Sequence, residues 1–195
     1  MSQICHTRVM GELKRFSDDN SDDIKLVPAS DSDILNLIGS FNGFENTPYE
    51  NGKYEIAIEI PSNFPFKPPK AKFITRVWHP NISSVTGFIC LELLRQGKWV
   101  ASVSLRNVLT SIKILLITAE PHNPQDAMVA KQYLENKELF EKTAAYWNHV
   151  YAAGPEKSYF TEMDDKVKLL MDKGFSKDEA VHKLSMSFWN IDLIE

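Results

Sequence analysis

Cysteine is scarce in this sequence, which has 2 cysteines, Cys5 and Cys90, among 195 residues. The two lie far apart along the chain, so the paired spacing of a zinc site or of a disulfide framework is absent. We therefore expect no bound metal and a reducing compartment, either the cytosol or the nucleus.

Long apolar runs and an excess of charge are also missing. No stretch approaches the roughly 20 apolar residues of a membrane-spanning helix, and the first residues, MSQICHTRVM, lack the apolar centre of a signal peptide. The formal net charge is −4, so no basic field attracts nucleic acid. We expect protein partners, and neither nucleic acid nor membrane. A length of 195 residues allows one domain of ordinary size and a small one, and 43% of hydrophobic residues is enough for a core.

The apolar patterns predict an α+β fold. An amphipathic helix is predicted at 4–16, with Val9, Leu13 and Phe16 directed inward. Strands are predicted at 24–27, 34–40, 54–60 and 72–75, and the third is the clearest because its apolar and polar residues alternate. The residues Glu50-Asn51-Gly52-Lys53 carry a hairpin signal between the second and third strands. The result is a four-stranded antiparallel meander.

Helical patterns replace strand patterns after Cys90. Ser104 is a predicted cap for a helix whose broad apolar face contains Leu105, Val108, Leu109, Ile112, Leu115 and Leu116. A second helix is predicted from Asn123, as cap, and Pro124 to residue 135, and a third at 137–151. After a linker at 153–158, residues 159–195 hold three short helical patterns, and Ser176 to Glu179 form a capping box. We expect a core domain at 1–152 and a small tail domain at 159–195.

The segment His79 to Cys90, HPNISSVTGFIC, predicts thiol chemistry without an adjacent base. Pro80 restricts the backbone and holds Asn81 in place, whereas residues 83–87 have loop composition. A partly ionised thiol can still accept an acyl group from another thioester, since the exchange is nearly isoenergetic. The Asn81 amide is the kind of donor that stabilises a developing oxyanion.

These residues resemble the active-site signature of ubiquitin-conjugating enzymes. The resemblance includes the run ICLELL around Cys90, the long segment TPYENGKYEIAIEIPSNFPFKPPKAKFITRVWHPN before it and LLITAEPHNPQDAMVA after it, and covers roughly residues 4–152. It implies that Cys90 accepts ubiquitin as a thioester from an activating enzyme and passes it to a substrate lysine or a ligase. The activating enzyme uses the ATP, so this chain needs no cofactor. Cys5 is interpreted as a packing residue.

The resemblance also suggests roles around the thiol and leaves several open. Asn81 would either stabilise the oxyanion or hold the loop. Asn123 stands where the family often has an aspartate that orients the incoming lysine, although a helix cap explains it equally well. His79 would fix the turn; if it were instead a base, the protein would be a cysteine hydrolase. A binding scaffold without catalysis is the third class, which the presence of Cys90 argues against.

Two docking surfaces follow from the same resemblance. Arg8, Lys14 and Arg15 would dock the activating enzyme, although Met10 and Gly11 occupy positions that are often basic. Ligases would contact an apolar surface made by Phe66, Ala101 and Ser102.

The tail resembles a ubiquitin-associated domain, and members with such a tail tend to build polyubiquitin chains. The residues that carry this resemblance are Lys173, Gly174, Phe175, Ala180, Leu184 and Trp189. Lys173 replaces the family's usual methionine, and the third helix is short, so we expect the tail to fold by packing on the core. Two functions remain open: a packing appendage, or a ubiquitin-binding module that uses Gly174, Phe175 and Leu193.

Overall fold

A four-stranded antiparallel sheet lies at the centre of the protein in a computed structural model that describes residues 2–19, 23–30 and 32–194. The strands pair in chain order: β1 Ile24–Ser30, β2 Asp33–Asn42, β3 Lys53–Glu59 and β4 Lys70–Phe73. The helices are α1 Gln3–Asp18, α2 Leu105–Leu115, α3 Ala127–Glu135, α4 Lys137–Ala152, α5 Phe160–Asp172 and α6 Lys177–Met186. Short 3-10 helices occupy Glu92–Leu94 and Ile191–Leu193. The predicted α+β meander with following helices is confirmed.

The sheet has one buried face, and helix α2 packs on it. Tyr54, Ile56 and Ile58 of β3 are buried, whereas Glu55 and Glu59 on the opposite face of the strand are exposed, as the alternation predicted. A β-carbon placed on Gly39 of β2 would overlap the Leu109 side chain of α2, so the two elements are in close contact. Ser104 caps α2 through a capping box with Asn107.

The hairpin prediction between β2 and β3 is right about the pairing and wrong about the turn. Strand β2 ends at Asn42 and β3 begins at Lys53, so residues 43–52 form a longer connection in place of a tight turn at 50–53. This connection brings Tyr49 into the core, where its hydroxyl donates to the Trp78 carbonyl at 3.0 Å. Burying that ring requires more chain than a two-residue turn provides.

Helix α3 begins later than predicted. Its cap is Asp126, whose carboxylate accepts from the Val129 backbone N–H, and the predicted cap Asn123 lies outside the helix. The residues in between bind a distant segment instead: the backbone N–H groups of Gln125 and Asp126 both donate to the Pro80 carbonyl, at 2.8 and 2.9 Å. These non-local bonds replace the expected first helical turn.

The tail packs directly on the core. The indole nitrogen of Trp189 donates to Thr143 Oγ1 of α4 at 2.9 Å, and that of Trp147 in α4 donates to Ser185 Oγ of α6 at 2.8 Å. Buried residues of α5 and α6 belong to the same apolar cluster as the residues of the sheet. The backbone N–H of Gly154, in the predicted linker, donates to the Asn148 carbonyl of α4 at 3.0 Å.

The tail contains α5, α6 and, as its third segment, the 3-10 helix at Ile191–Leu193. The predicted capping box of Ser176 with Glu179 begins α6. Met1 and Glu195, the outer ends of the two predicted domains, lie outside the described residues. Over the described ranges, we find no helix with the length and apolar character needed to cross a membrane.

Candidate active site

Cys90 lies at the end of a short antiparallel loop that we call the 81–90 loop. Its backbone N–H donates to the Asn81 carbonyl at 2.9 Å, and Ile82 pairs with Ile89 one step further in. The loop turns at residues 84–87, where Gly87 has a φ of 72° and packs against the Phe73 carbonyl so closely that a β-carbon would overlap it. The thiol is therefore held at a fixed position and is half-buried.

The Asn81 side chain is buried and fully hydrogen-bonded. Its Oδ1 accepts from the Glu120 backbone N–H at 2.8 Å, and its Nδ2 donates to the carbonyls of Glu120 and Asn123 at 3.0 and 3.1 Å. An amide nitrogen has two N–H donors, and both are used here. In this conformation the side chain fastens the 81–90 loop to residues 120–123 and has no N–H free for an oxyanion.

Arg95 is the partner of the Cys90 thiol. Its Nη2 donates to Sγ at 3.0 Å, and this hydrogen bond raises the pKa of Arg95. The 3-10 helix at Glu92–Leu94 turns the chain back on itself, with the Arg95 backbone N–H bonded to the Glu92 carbonyl. Sequence reasoning missed Arg95. The signal that could have found it is a basic residue only five positions after the candidate thiol, since a nearby cation stabilises a thiolate.

A cleft of about 330 Å³ brings the predicted site residues together. Its lining includes Asn81, Cys90 and Asn123, so the residues predicted to act on the lysine side of the reaction share one cavity. Arg95 and Glu120 also line it, and sequence reasoning had assigned neither of them. Asn123 was predicted to cap a helix. In the structure it is exposed and lies on the wall of the cleft.

His79 is a buried structural residue. Its Nδ1 accepts from the Asn81 backbone N–H at 3.1 Å, and burial lowers its pKa to about 3. A nitrogen that already accepts a backbone hydrogen bond cannot take a proton from a thiol without losing that bond. Among the described residues, no histidine hydrogen-bonds to the Cys90 sulfur, so the geometry of a cysteine hydrolase is absent there.

Cys5 differs from Cys90 in every respect that matters for reactivity. It is fully buried in α1, and its thiol contacts the Pro61 carbonyl at 3.6 Å. Burial raises the pKa of the Cys5 thiol. No group of three or more His, Cys, Asp or Glu side chains stands ready for a metal ion in the described parts of the chain.

The two predicted docking surfaces meet at Arg8. Its guanidinium donates to the carbonyls of Ala101 and Val103 at 3.0 and 2.9 Å and pairs with Glu12 at 2.8 Å, so its hydrogen-bonding groups are largely used within the protein. Lys14 and Arg15, by contrast, are exposed.

The surface predicted to contact ligases has an apolar centre. Phe66 is 68% exposed. The adjacent Pro65 carbonyl accepts from the Trp99 indole at 2.7 Å, which ties the two loops of this surface together. Ser102 is exposed and Ala101 is half-buried. The structure therefore brings Phe66, Ala101 and Ser102 into loops that are physically linked.

The tail residues predicted to contact ubiquitin differ in accessibility. Leu193 is 68% exposed and Gly174 is exposed, whereas the Phe175 ring is partly buried and lies 5.1 Å from the Lys183 ammonium. Lys173, where the family usually has methionine, is exposed.

Comparison with known proteins gives consistent matches. A family model described as ubiquitin-conjugating enzyme matches residues 8–148. Ubiquitin-conjugating enzyme E2 K of Homo sapiens is 43% identical over 194 residues, which cover 98% of this chain and 96% of the human one. Ubiquitin-conjugating enzyme E2 21 of Caenorhabditis elegans is 41% identical over 196 residues, with 98% and 90% covered. The solved E2 domain of a Toxoplasma gondii ubiquitin conjugating enzyme matches with a TM-score of 0.70 and 39% identity, covering 75% of this chain and 99% of that one.

Proposed function

This chain belongs to the family of ubiquitin-conjugating enzymes, and we propose that Cys90 is the residue on which it carries ubiquitin. The observation that supports this most directly is the contrast between its two cysteines. Cys90 opens onto a cleft beside Asn81, whereas Cys5 is fully buried. A thioester-forming sulfur must be reached by a protein partner, and only Cys90 meets that condition.

The chemistry consists of two acyl transfers. The Cys90 thiolate attacks the ubiquitin carbonyl in the thioester of the activating enzyme, a carbon–sulfur bond to Cys90 forms, and the activating enzyme's thiolate leaves. A lysine amine or a ligase thiolate then attacks the same carbonyl, and the Cys90 thiolate leaves in turn. The lysine loses its proton in the second transfer. Arg95 lies against the sulfur that is an anion at both stages.

The test of this proposal is a non-reducing gel after mixing the protein with activating enzyme, ATP and ubiquitin. We expect a thiol-sensitive adduct that is lost in Cys90→Ala and becomes thiol-resistant in Cys90→Ser. Cys5→Ala is the matched control and should retain the adduct. A protein that forms no adduct with any ubiquitin-like modifier would contradict the proposal.

On the acceptor side, we propose that Asn81 shapes the cleft and Asn123 orients the incoming lysine. Asn81 is supported by its three hydrogen bonds to residues 120 and 123. Asn123 is supported by its exposed position on the wall of the cleft. An amide can position a lysine but cannot take its proton, so we expect discharge to free lysine in Asn123→Ala to be slower while loading is unchanged.

For the activating enzyme, we propose docking through Lys14 and Arg15, with Arg8 contributing mainly by holding the loop at 101–103. The double variant Lys14→Glu, Arg15→Glu should load more slowly when the activating enzyme is limiting, because the electrostatic attraction between the two enzymes is lost. The exposed Lys53→Glu in β3 is the matched control. For ligases, we propose that Phe66, Ala101 and Ser102 form the contact, and Phe66→Ala should lose only the ligase-stimulated part of transfer.

We propose that the tail is a ubiquitin-associated domain that supports polyubiquitin chain formation, with Gly174, Phe175 and Leu193 on its binding surface. The exposed Leu193 supports this proposal, and the partial burial of Phe175 weakens it. Titration of labelled ubiquitin with the full-length chain tests it, since Leu193→Asp should abolish the shifts and Leu134→Asp, an equally apolar exposed site on α3, should not. Flat spectra with the unaltered chain would favour the packing appendage.

We also propose that the enzyme works in the cytosol or the nucleus. The free state of both cysteines supports a reducing compartment. Localisation of the full-length chain carrying a fluorescent tag tests this, and export from the cell would contradict it.

A further inference from the structure

Helix α6 of the tail faces the chain segment that leads into Cys90. Three side chains on this helix make polar contacts with the core. Asp178 pairs with Arg76 at 3.7 Å, His182 Nε2 lies 3.3 Å from Ser84 Oγ, and Ser185 accepts from the Trp147 indole. The middle contact reaches the 81–90 loop itself, because Ser84 stands at its turn.

Ser84 is almost fully buried and its hydrogen bonds have a definite direction. Its backbone N–H and its hydroxyl both donate to Asp126 Oδ2, at 3.1 and 2.7 Å. Since the hydroxyl proton goes to the carboxylate, the remaining contact requires Ser84 Oγ to accept an N–H from His182 Nε2. The imidazole is half-buried, and burial lowers its pKa. The neutral ring with its proton on Nε2 and the protonated ring both supply the N–H that this contact uses.

Asp126 links this contact to the other side of the catalytic cleft. Its backbone N–H donates to the Pro80 carbonyl, directly before Asn81, and its carboxylate caps helix α3. The 81–90 loop is thus held at two places: at Asn81 by residues 120–123, and at Ser84 by Asp126 and His182. Cys90 is joined to this loop by its backbone hydrogen bond to Asn81, so the position of the thiol depends on the position of the loop.

We propose that His182 is a positioning residue for ubiquitin transfer, through which the tail sets the geometry of the 81–90 loop. This role rests on the proposed function of Cys90 as the thioester-bearing residue. It differs from ubiquitin binding by the tail, because His182 acts on Ser84 within the same chain and needs no ubiquitin. The tail would then contribute to catalysis even with a small acceptor such as free lysine.

The test compares full-length variants in a single-turnover discharge assay. Each protein is loaded with activating enzyme, ATP and ubiquitin, loading is stopped with EDTA, and free lysine is added while the loss of the Cys90 adduct is followed. We expect His182→Ala to slow discharge by about tenfold with the extent of loading unchanged, because a partial displacement should cost less than the roughly 10²-fold of a full 1 Å displacement. Lys168→Ala, at an exposed position on α5, is the matched control.

A rescue variant and a double variant distinguish a positioning role of His182 from a general loss of stability. His182→Gln keeps an N–H donor and should discharge within about twofold of the unaltered enzyme. Ser84→Ala should be at least as slow as His182→Ala, because it also removes the hydroxyl's bond to Asp126. The double variant should be no slower than Ser84→Ala, because the contact with His182 is already lost there. The backbone amide resonances of residues 81–90 should shift in His182→Ala and return in His182→Gln.

Each outcome decides the inference. Unchanged discharge in His182→Ala with normal loading overturns it, as does a glutamine variant as slow as the alanine variant. If urea unfolding shows that His182→Ala loosens the tail, Ser84→Ala decides, and a normal rate there overturns the inference. Absence of any adduct in the unaltered protein would overturn the proposed function and this inference with it.

Discussion

Arg95 donates a hydrogen bond from Nη2 to the sulfur of Cys90 at 3.0 Å. The two residues are five positions apart, and the 3-10 helix between them folds the guanidinium back over the thiol. A guanidinium remains protonated throughout the reaction, so it favours the thiolate both when Cys90 attacks and when it leaves. Because Arg95 is exposed, solvent screens this attraction and its effect on rate is modest.

The first prediction is that Arg95→Ala slows loading of Cys90 by about two- to fivefold, the range of an exposed charge pair. Arg95→Lys keeps the charge and should recover part of the rate. The measurement is the initial rate of adduct formation at saturating ATP and ubiquitin. Lys98→Ala, which removes an exposed cation paired with Glu92 at 3.4 Å, is the control and should load normally.

The second prediction concerns Asn81→Asp, which removes both Nδ2 donors and sets a carboxylate against two backbone carbonyls. If Asn81 holds the loop, the variant should lose about 1–3 kcal/mol of unfolding free energy and discharge to lysine should be slower. If Asn81 acts on the oxyanion, stability should be unchanged while discharge falls by about 10²- to 10³-fold.

Urea unfolding and lysine discharge on the same preparation distinguish the two roles of Asn81. Asn63→Asp, at an exposed position in the turn before Phe64, is the matched control and should alter neither. The three hydrogen bonds of Asn81 lead us to expect the loss of stability. A fully stable Asn81→Asp protein would contradict the loop-holding role.

Local patterns predicted much of the fold because they depend on neighbouring residues. The alternation in β3 follows directly from which face of the strand is buried, and the capping boxes at Ser104 and Ser176 depend on residues three positions apart. The segment 79–90 and its resemblance to the family signature assigned Asn81 and Cys90 to one site, and both line one cleft.

Features that depend on distant residues were not predictable from local sequence. Asn123 is a residue type that often caps helices, yet its carbonyl accepts a hydrogen bond from Asn81, 42 positions earlier in the chain. Asp126 caps α3 in its place. The contact of His182 with Ser84 joins residues 98 positions apart. No periodicity encodes such pairings, because they exist only once the tail has packed on the core.

The third prediction is a pH dependence of stability that arises from His79. Burial holds its pKa near 3 in the folded protein, against about 6.5 for an exposed histidine. Between these values the unfolded state binds the proton and the folded state does not. Stability is therefore complete above about pH 6.5 and falls as the pH drops towards 3, with a loss of about 2 kcal/mol by pH 5.

The measurement for His79 is the urea unfolding free energy at pH 7.5 and pH 5 for the unaltered protein and His79→Asn. Asparagine retains an acceptor for the Asn81 backbone N–H and does not titrate. The variant should lose less stability on acidification, and the difference between the two proteins isolates His79 from the other histidines, including His182. Equal losses in both proteins would contradict the prediction.

The fourth prediction is that the tail and the core unfold together, with Trp189 as a principal link. The Trp189 ring is buried, donates to Thr143 and packs edge-on against Tyr146 with ring centroids 5.2 Å apart. Trp189→Ala should lower the unfolding free energy by about 3–5 kcal/mol. Trp189→Phe keeps an aromatic ring and loses the indole hydrogen bond, so it should cost about 1 kcal/mol.

Urea unfolding followed by circular dichroism and by tryptophan fluorescence tests this link. The apolar cluster runs from the sheet through α4 into α5 and α6, so the unaltered protein should show one transition with both probes. Leu169→Ala, on the exposed side of α5, is the control and should change the free energy by less than about 0.5 kcal/mol. Two separate transitions would mean that the tail is stable without the core, and in that case Trp189→Ala should affect only the transition of the tail.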